Sequence, residues 1–358
     1  MTRIAFGLGT SIVVAHDEGG DWQTQEHLSD ATIPGPAGRA AQIREIPTLV
    51  TDPLQPRRLY VGAYPGGLWR SDDGGDNWRE VGAGIGPRGA MSIAVSPWER
   101  VGGQGVVYVG TEPSALFRSE DGGERWEALP DLTTLPSVGE WSYPPRPATH
   151  HVRWIEFDPR DEERLYVCIE NGALLRSRDR GTHWQDRTPD GPRDTHTFAT
   201  HPLAPGRLYS AAGDGFMHPG YGYAESRDRG DTWARMGDGL HHHYLWGLAV
   251  DPADPDTVLI SAAASPREAH QPGPGAEAHV YRKVADNVWQ EITGGLPPAQ
   301  GTMAHRLAFH PTQRGVLYAV CNQGLFRSTD AGLSFAPVPI AWPEGYRFRH
   351  VDGLTVTV

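Results

Sequence analysis

Cysteine is nearly absent from the 358-residue chain, which has two, and positive charge is outweighed: 32 Lys and Arg stand against 44 Asp and Glu, a net charge of −12. Two thiols cannot build the disulfide framework of a small secreted domain. Cys168 and Cys321 each follow an apolar strand-like run, Leu165–Val167 and Leu317–Val320, in non-adjacent repeats. They read as buried free thiols in a reducing compartment. No run of about 18 apolar residues occurs, which excludes a transmembrane helix. Met1–Gly9 lacks the apolar segment of a signal peptide, so a cytoplasmic location is expected. The acidic balance gives no general attraction to nucleic acid or to an anionic membrane, and neither is expected as a partner. What the chain does have is 44 Gly, 31 Pro and 12 Trp. That density of helix breakers excludes a helical bundle or coiled coil. Twelve tryptophans require a core or a binding surface and argue against disorder.

These residues recur in register. Ser71-x-Asp73-x-Gly75-x-x-Trp78 returns as Ser119, Asp121, Gly123, Trp126, then as Ser177, Asp179, Gly181, Trp184. It returns again as Ser226, Asp228, Gly230, Trp233 and as Ser328, Asp330, Gly332, Phe335. Asp17, Gly19 and Trp22 form a variant with Ala15 in the serine place, and Trp289 remains from an eroded copy. The aromatic positions lie roughly 50 residues apart, a repeat architecture. The chemistry is that of a hairpin turn: Ser and Asp oxygens accept backbone N–H groups, Gly takes positive φ, and Trp packs beneath. These residues are therefore read as structural.

The pattern S-x-D-x-G-x-x-W resembles the Asp-box, or BNR repeat, of sialidases, two-domain xyloglucanases and sortilin-type receptors. Each unit reads as four strands, in the first case Ile46–Thr51, Arg58–Ala63, Gly67–Ser71 and Trp78–Val81. That is propeller-blade anatomy. The expectation is an all-β, seven-bladed β-propeller of four-stranded antiparallel blades, a single domain over 1–358. Its last blade is shared by 1–30 and 350–358, and pairing the C-terminal strand (Gly353–Val358) with the N-terminal blade (Ile4–Gly9) closes it.

Alternating strand direction places the insertions 24–43, 130–150, 213–223 and 264–279 on one face, where function usually sits. They carry Trp141, Tyr143, Phe216, His218, Tyr221, Tyr223 and His270. Aligned on the proline that follows each inner strand, seven of sixteen histidines fall just upstream of it: His150, His151, His196, His242, His243, His305 and His350. Arg44, Glu45 and Arg88 hold the matching places in the first two blades. Imidazoles converging on an axis suit a divalent transition ion such as Zn, Cu, Fe or Mn. Strand parity favours His151, His196, His305 and His350, with His243 next, over His150 and His242.

Three functions follow. The first is a metal-dependent enzyme acting on a small molecule, a hydrolase, lyase or oxidoreductase. Glu45, Asp194, Asp352 and Arg153 are its catalytic candidates. Arg44, Trp246, Tyr244, Tyr221 and His218 are its candidates for binding substrate. The second is a glycoside hydrolase acting on a glycan. Arg44-Glu45-Ile46-Pro47-Thr48-Leu49 is similar to the Arg-Ile-Pro-x-Leu of sialidases, with a glutamate inserted, and Arg153, Arg306 and Arg349 offer positive charge. The third is a non-catalytic scaffold or assembly factor, which should show an exposed apolar or single-sign patch. A closed propeller needs no second copy, so a monomer is expected.

Overall fold

The computed structural model describes residues 2–28, 32–34, 40–42, 44–65, 67–85, 89–283 and 288–358. Arg88 and much of the 24–43 insertion lie outside them. Seven blade sheets follow one another along the chain, giving a seven-bladed β-propeller, and a two-stranded sheet pairs Thr32–Pro34 with Ala40–Gln42. The first full blade comprises Glu45–Asp52, Gln55–Tyr64, Leu68–Ser71 and Arg79–Glu80. The third has three strands, with its fourth reduced to a bridge between Arg176 and Gln185. The closing sheet is ordered Val351–Thr357, Arg3–Leu8, Ser11–Glu18, Asp21–His27, so the last strand of the chain pairs beside the first. No helix among the described residues is long and apolar enough to cross a membrane.

Packing divides the chain into two compact units. The first comprises 1–16, 24–187 and 352–357 and the second comprises 17–23, 188–351 and 358. In both, the second strand of a blade is a near-continuous apolar run, as a strand covered on both faces must be. Leu165–Ile169 is buried throughout, with Cys168 inside it, and Cys321 ends the equivalent Leu317–Cys321; both thiols are free. Tyr60, Tyr108, Tyr166, Tyr209 and Tyr318 recur in such strands and are all buried. Their hydroxyls reach polar partners, Tyr60 to Gly122 O in the next blade and Tyr209 to Pro255 O.

The repeated turn has one hydrogen-bond pattern. In all five good copies the Ser Oγ accepts the Gly N–H at 2.8 Å. The same hydroxyl donates to the Asp carboxylate at 2.7–2.9 Å. The carboxylate in turn accepts the backbone N–H four residues on, as Asp73 does from Asn77 at 2.9 Å. Gly75, Gly123, Gly181, Gly230 and Gly332 all have φ between +84° and +103°. An arginine of the preceding blade reaches the turn's carbonyls. Arg3 donates to Gly74 O (2.6 Å), Arg70 to Gly122 O (2.6 Å) and Arg282 to Ala331 O (3.0 Å). The repeat thus closes its own turn and fastens its neighbour.

Candidate functional site

In the second unit, the segment 213–223 joins the second and third strands of a blade and opens with a 3-10 turn, Gly213–Phe216. It is tied down at both ends. Asp214 accepts the backbone N–H groups of Arg193 and Asp194 (3.1 and 3.0 Å), and Arg235 donates to Tyr221 O (3.1 Å). Glycine lets it lie close to its surroundings. A Cβ at Gly213 would stand 2.1 Å from Asp194 Oδ2, and one at Gly215 would stand 2.0 Å from His243 O. Held in this way, the segment turns large apolar side chains outward: Phe216 is 46% exposed, Met217 72% and Tyr221 49%. His218 packs on the Tyr221 ring at 5.8 Å, and the Arg235 guanidinium stacks over the same ring at 4.8 Å.

Behind this segment is a buried cluster of rings. His196 Nδ1 lies 2.6 Å from Leu245 O, which can only accept, so the proton sits on Nδ1. Nε2 is 3.6 Å from Asp194 Oδ1. The His196 ring packs against Tyr244 and Trp246 at 5.0 and 4.8 Å. Tyr244 Oη, His270 and His350 form a hydrogen-bonded chain, 2.8 Å from Oη to His270 Nε2 and 2.8 Å from His270 Nδ1 to His350 Nε2. Arg306 stacks over Trp246 at 4.3 Å and donates to Thr197 Oγ1. Tyr244 and Trp246 are both buried, so these proposed substrate contacts are part of the packing.

In the first unit a second polar cluster centres on Arg146. Its guanidinium donates to both oxygens of buried Glu112 (2.7 Å each) and to Glu45 (3.3 Å), lying against the rings of Tyr64 and Tyr143. His151 Nε2 is 3.0 Å from Glu170, and Arg153 Nε is 3.4 Å from the same carboxylate. Burial, and then the charge of Asp352, raise the Glu45 carboxyl above its ordinary range, against the pull of Arg146. Arg44 is exposed and donates its backbone N–H to Tyr64 O.

The proposed metal ligands are thus placed in different settings. His151, His196 and His350 each have a ring nitrogen committed to a protein group. His243 is half-buried and accepts from Gly220 N–H at 3.4 Å. His305 is buried with neither ring nitrogen hydrogen-bonded, and burial lowers its pKa to about 4. Among the described residues of the second unit, the ligating group that converges is instead His242, Glu277 and His279. Reading from the sequence selected Glu45, Asp352, Arg153 and His151 but missed Glu112, Arg146, Glu170 and Glu277. Strand register carries part of the missing signal. The end of each second strand pairs with the start of the first, as Glu45 with Tyr64, Gly89 with Glu112, and His151 O with Glu170 N–H.

No family model matches the chain, and no curated protein matches it in sequence. Solved structures match its fold. A GH74 enzyme of Niastella koreensis is 16% identical with a TM-score of 0.59, covering 93% of this chain and 54% of its own. The GH74 xyloglucanase of Xanthomonas campestris is 19% identical with a TM-score of 0.59, covering 82% of this chain and 45% of its own. The chain therefore spans about half the length of these enzymes. YCF48 bound to a D1 peptide is 14% identical with a TM-score of 0.57, covering 91% of this chain and 95% of its own. At such identities the likeness is one of fold, the seven-bladed propeller.

Proposed function

We propose that the protein is a partner-binding propeller of the Asp-box kind, which docks an apolar segment of another protein on residues 213–223. The observation that carries this is the pairing of order with exposure. Phe216, Met217 and Tyr221 point outward from a segment fixed by hydrogen bonds at both ends. Aromatic, Met and Arg side chains are the ones enriched where proteins meet. A preorganised segment loses little entropy on binding, so exposed apolar area there converts efficiently to affinity. A solved neighbour that this chain matches over nearly its whole length was captured with a peptide.

The test is a photo-crosslinking residue in place of Met217, with the same residue at exposed Leu333 as control. The expected result is one dominant protein adduct at position 217. Its purified counterpart should lose about tenfold or more in affinity toward F216A/Y221A. Equal adducts at both positions would sink the proposal. A second reading rests on Glu45, whose raised pKa next to Asp352 suits a general acid beside a carboxylate. It expects turnover of a glycoside that is abolished in E45Q and unchanged in F216A/Y221A.

A further inference from the structure

We infer that His242, Glu277 and His279 form a binding site for a borderline divalent transition ion, best filled by Zn2+. The three sit together because of strand register. Glu277 and His279 are two residues apart at the start of Ala278–Lys283, hence on one face. His242 precedes the strand Tyr244–Asp251 of the same blade. One ligating atom from each lies within 4.8 Å of the others.

Both rings are held in the manner of metal-binding histidines. His279 Nδ1 is 2.7 Å from Glu291 Oε1, and His242 Nδ1 is 2.7 Å from Tyr281 Oη. A ring anchored through Nδ1 presents Nε2 to an ion, and the anchoring carboxylate raises its basicity. His279 Nε2 is buried, has no hydrogen-bond partner, and is 3.6 Å from Glu277 Oε1.

Two imidazoles and one carboxylate form a Zn2+ set with a position left open. One oxygen-donor side chain is too few for Ca2+ or Mg2+. The two rings stack, 3.7 Å between centroids and 11° between planes. His279 also lines a cavity of about 260 Å³ with Glu291, Leu296, Pro298 and the unpartnered His305.

The experiment is a titration of chelator-treated full-length protein with Zn2+ alone, read as bound metal per chain. Co2+ serves as the spectroscopic probe of ligand number. One equivalent is expected. E277Q, at an exposed position that cannot upset folding, should weaken binding roughly tenfold, and H242A/H279A should abolish it. The neighbouring His241 and His243 make a competing explanation, which H241A/H243A settles: uptake is retained if the site is the one described. Failure of the wild type to take up metal would overturn the inference. So would uptake that is lost in H241A/H243A, or that is indifferent to E277Q.

Discussion

Lys283 is the only lysine in the chain, and it is buried. It pairs with Glu225, which also accepts from Arg207 (2.8 Å) and from Tyr223 Oη (2.7 Å). Burial pushes the Glu225 carboxyl up, but Lys283 and the other donors outweigh it and hold the group below its ordinary value. The arrangement is asymmetric, with two buried cations around one buried anion. E225Q leaves Lys283 without a carboxylate partner and Arg207 with only the exposed Asp256, and should cost about 3–5 kcal/mol. K283M leaves Glu225 still bonded to Arg207 and Tyr223 and should cost clearly less. Denaturant melts of the two variants check the order; equal losses would mean that Arg207 does not neutralise Glu225. The same lysine should resist amine reagents in the native protein and react on unfolding. Nothing in the sequence pointed to this cluster. Its members come from two strands and the residue that precedes a third, in two adjacent repeats, and only the fold brings them together.

The turn was far more legible, because everything it needs lies within eight residues. Ser, Asp, Gly and Trp at fixed offsets state the hydrogen bonds directly, and the structure repeats them almost unchanged five times. Their carboxylates also set a pH dependence. Hydrogen bonds from Thr232 hold Asp228 at about 2. Burial pushes Asp73 and Asp330 up, but hydrogen bonds from Asn77 and Ser334, among others, bring each down to about 2. Asp121 and Asp179 are lowered as well. A folded pKa below the unfolded value means that each turn contributes stability fully above about pH 4 and loses it as pH falls toward 2. Melting temperature should therefore fall steeply between about pH 4 and pH 2. D228N should blunt that fall while lowering stability at neutral pH by about 1 kcal/mol. A pH profile identical in D228N and wild type would show that the carboxylate charge is not what the turn uses.

At the scale of the molecule, the repeat gave the number of blades and the shared last one. It gave only part of the candidate sites, the insertion 213–223 together with Glu45, His151 and Arg153, because partners such as Glu112, Arg146 and Glu170 come from successive repeats at positions the motif leaves free. The four histidines chosen by strand parity share a sequence register, but their settings differ: His151 meets Glu170 and His350 meets His270, whereas His305 has no hydrogen-bond partner. Closure, by contrast, rests on a few named contacts. Val351–Thr357 lies beside Arg3–Leu8, Thr355 Oγ1 is 2.9 Å from Thr51 Oγ1, and Gly353 backs so closely on Leu49 that a Cβ would stand 3.0 Å from its backbone N. Removing 351–358 strips the ladder partner from Arg3–Leu8 and leaves an apolar edge strand open to pairing with other chains. The loss should be about 1 kcal/mol for each of several ladder bonds, with aggregation at concentrations where the full chain stays dispersed. A peptide of residues 351–358 added in trans should restore both melting temperature and dispersion. G353V should fail to close even with the strand present, since its side chain has no room against Leu49. A truncated chain as stable and dispersed as the full one would mean that the seventh sheet is not what holds the two ends of the chain in place.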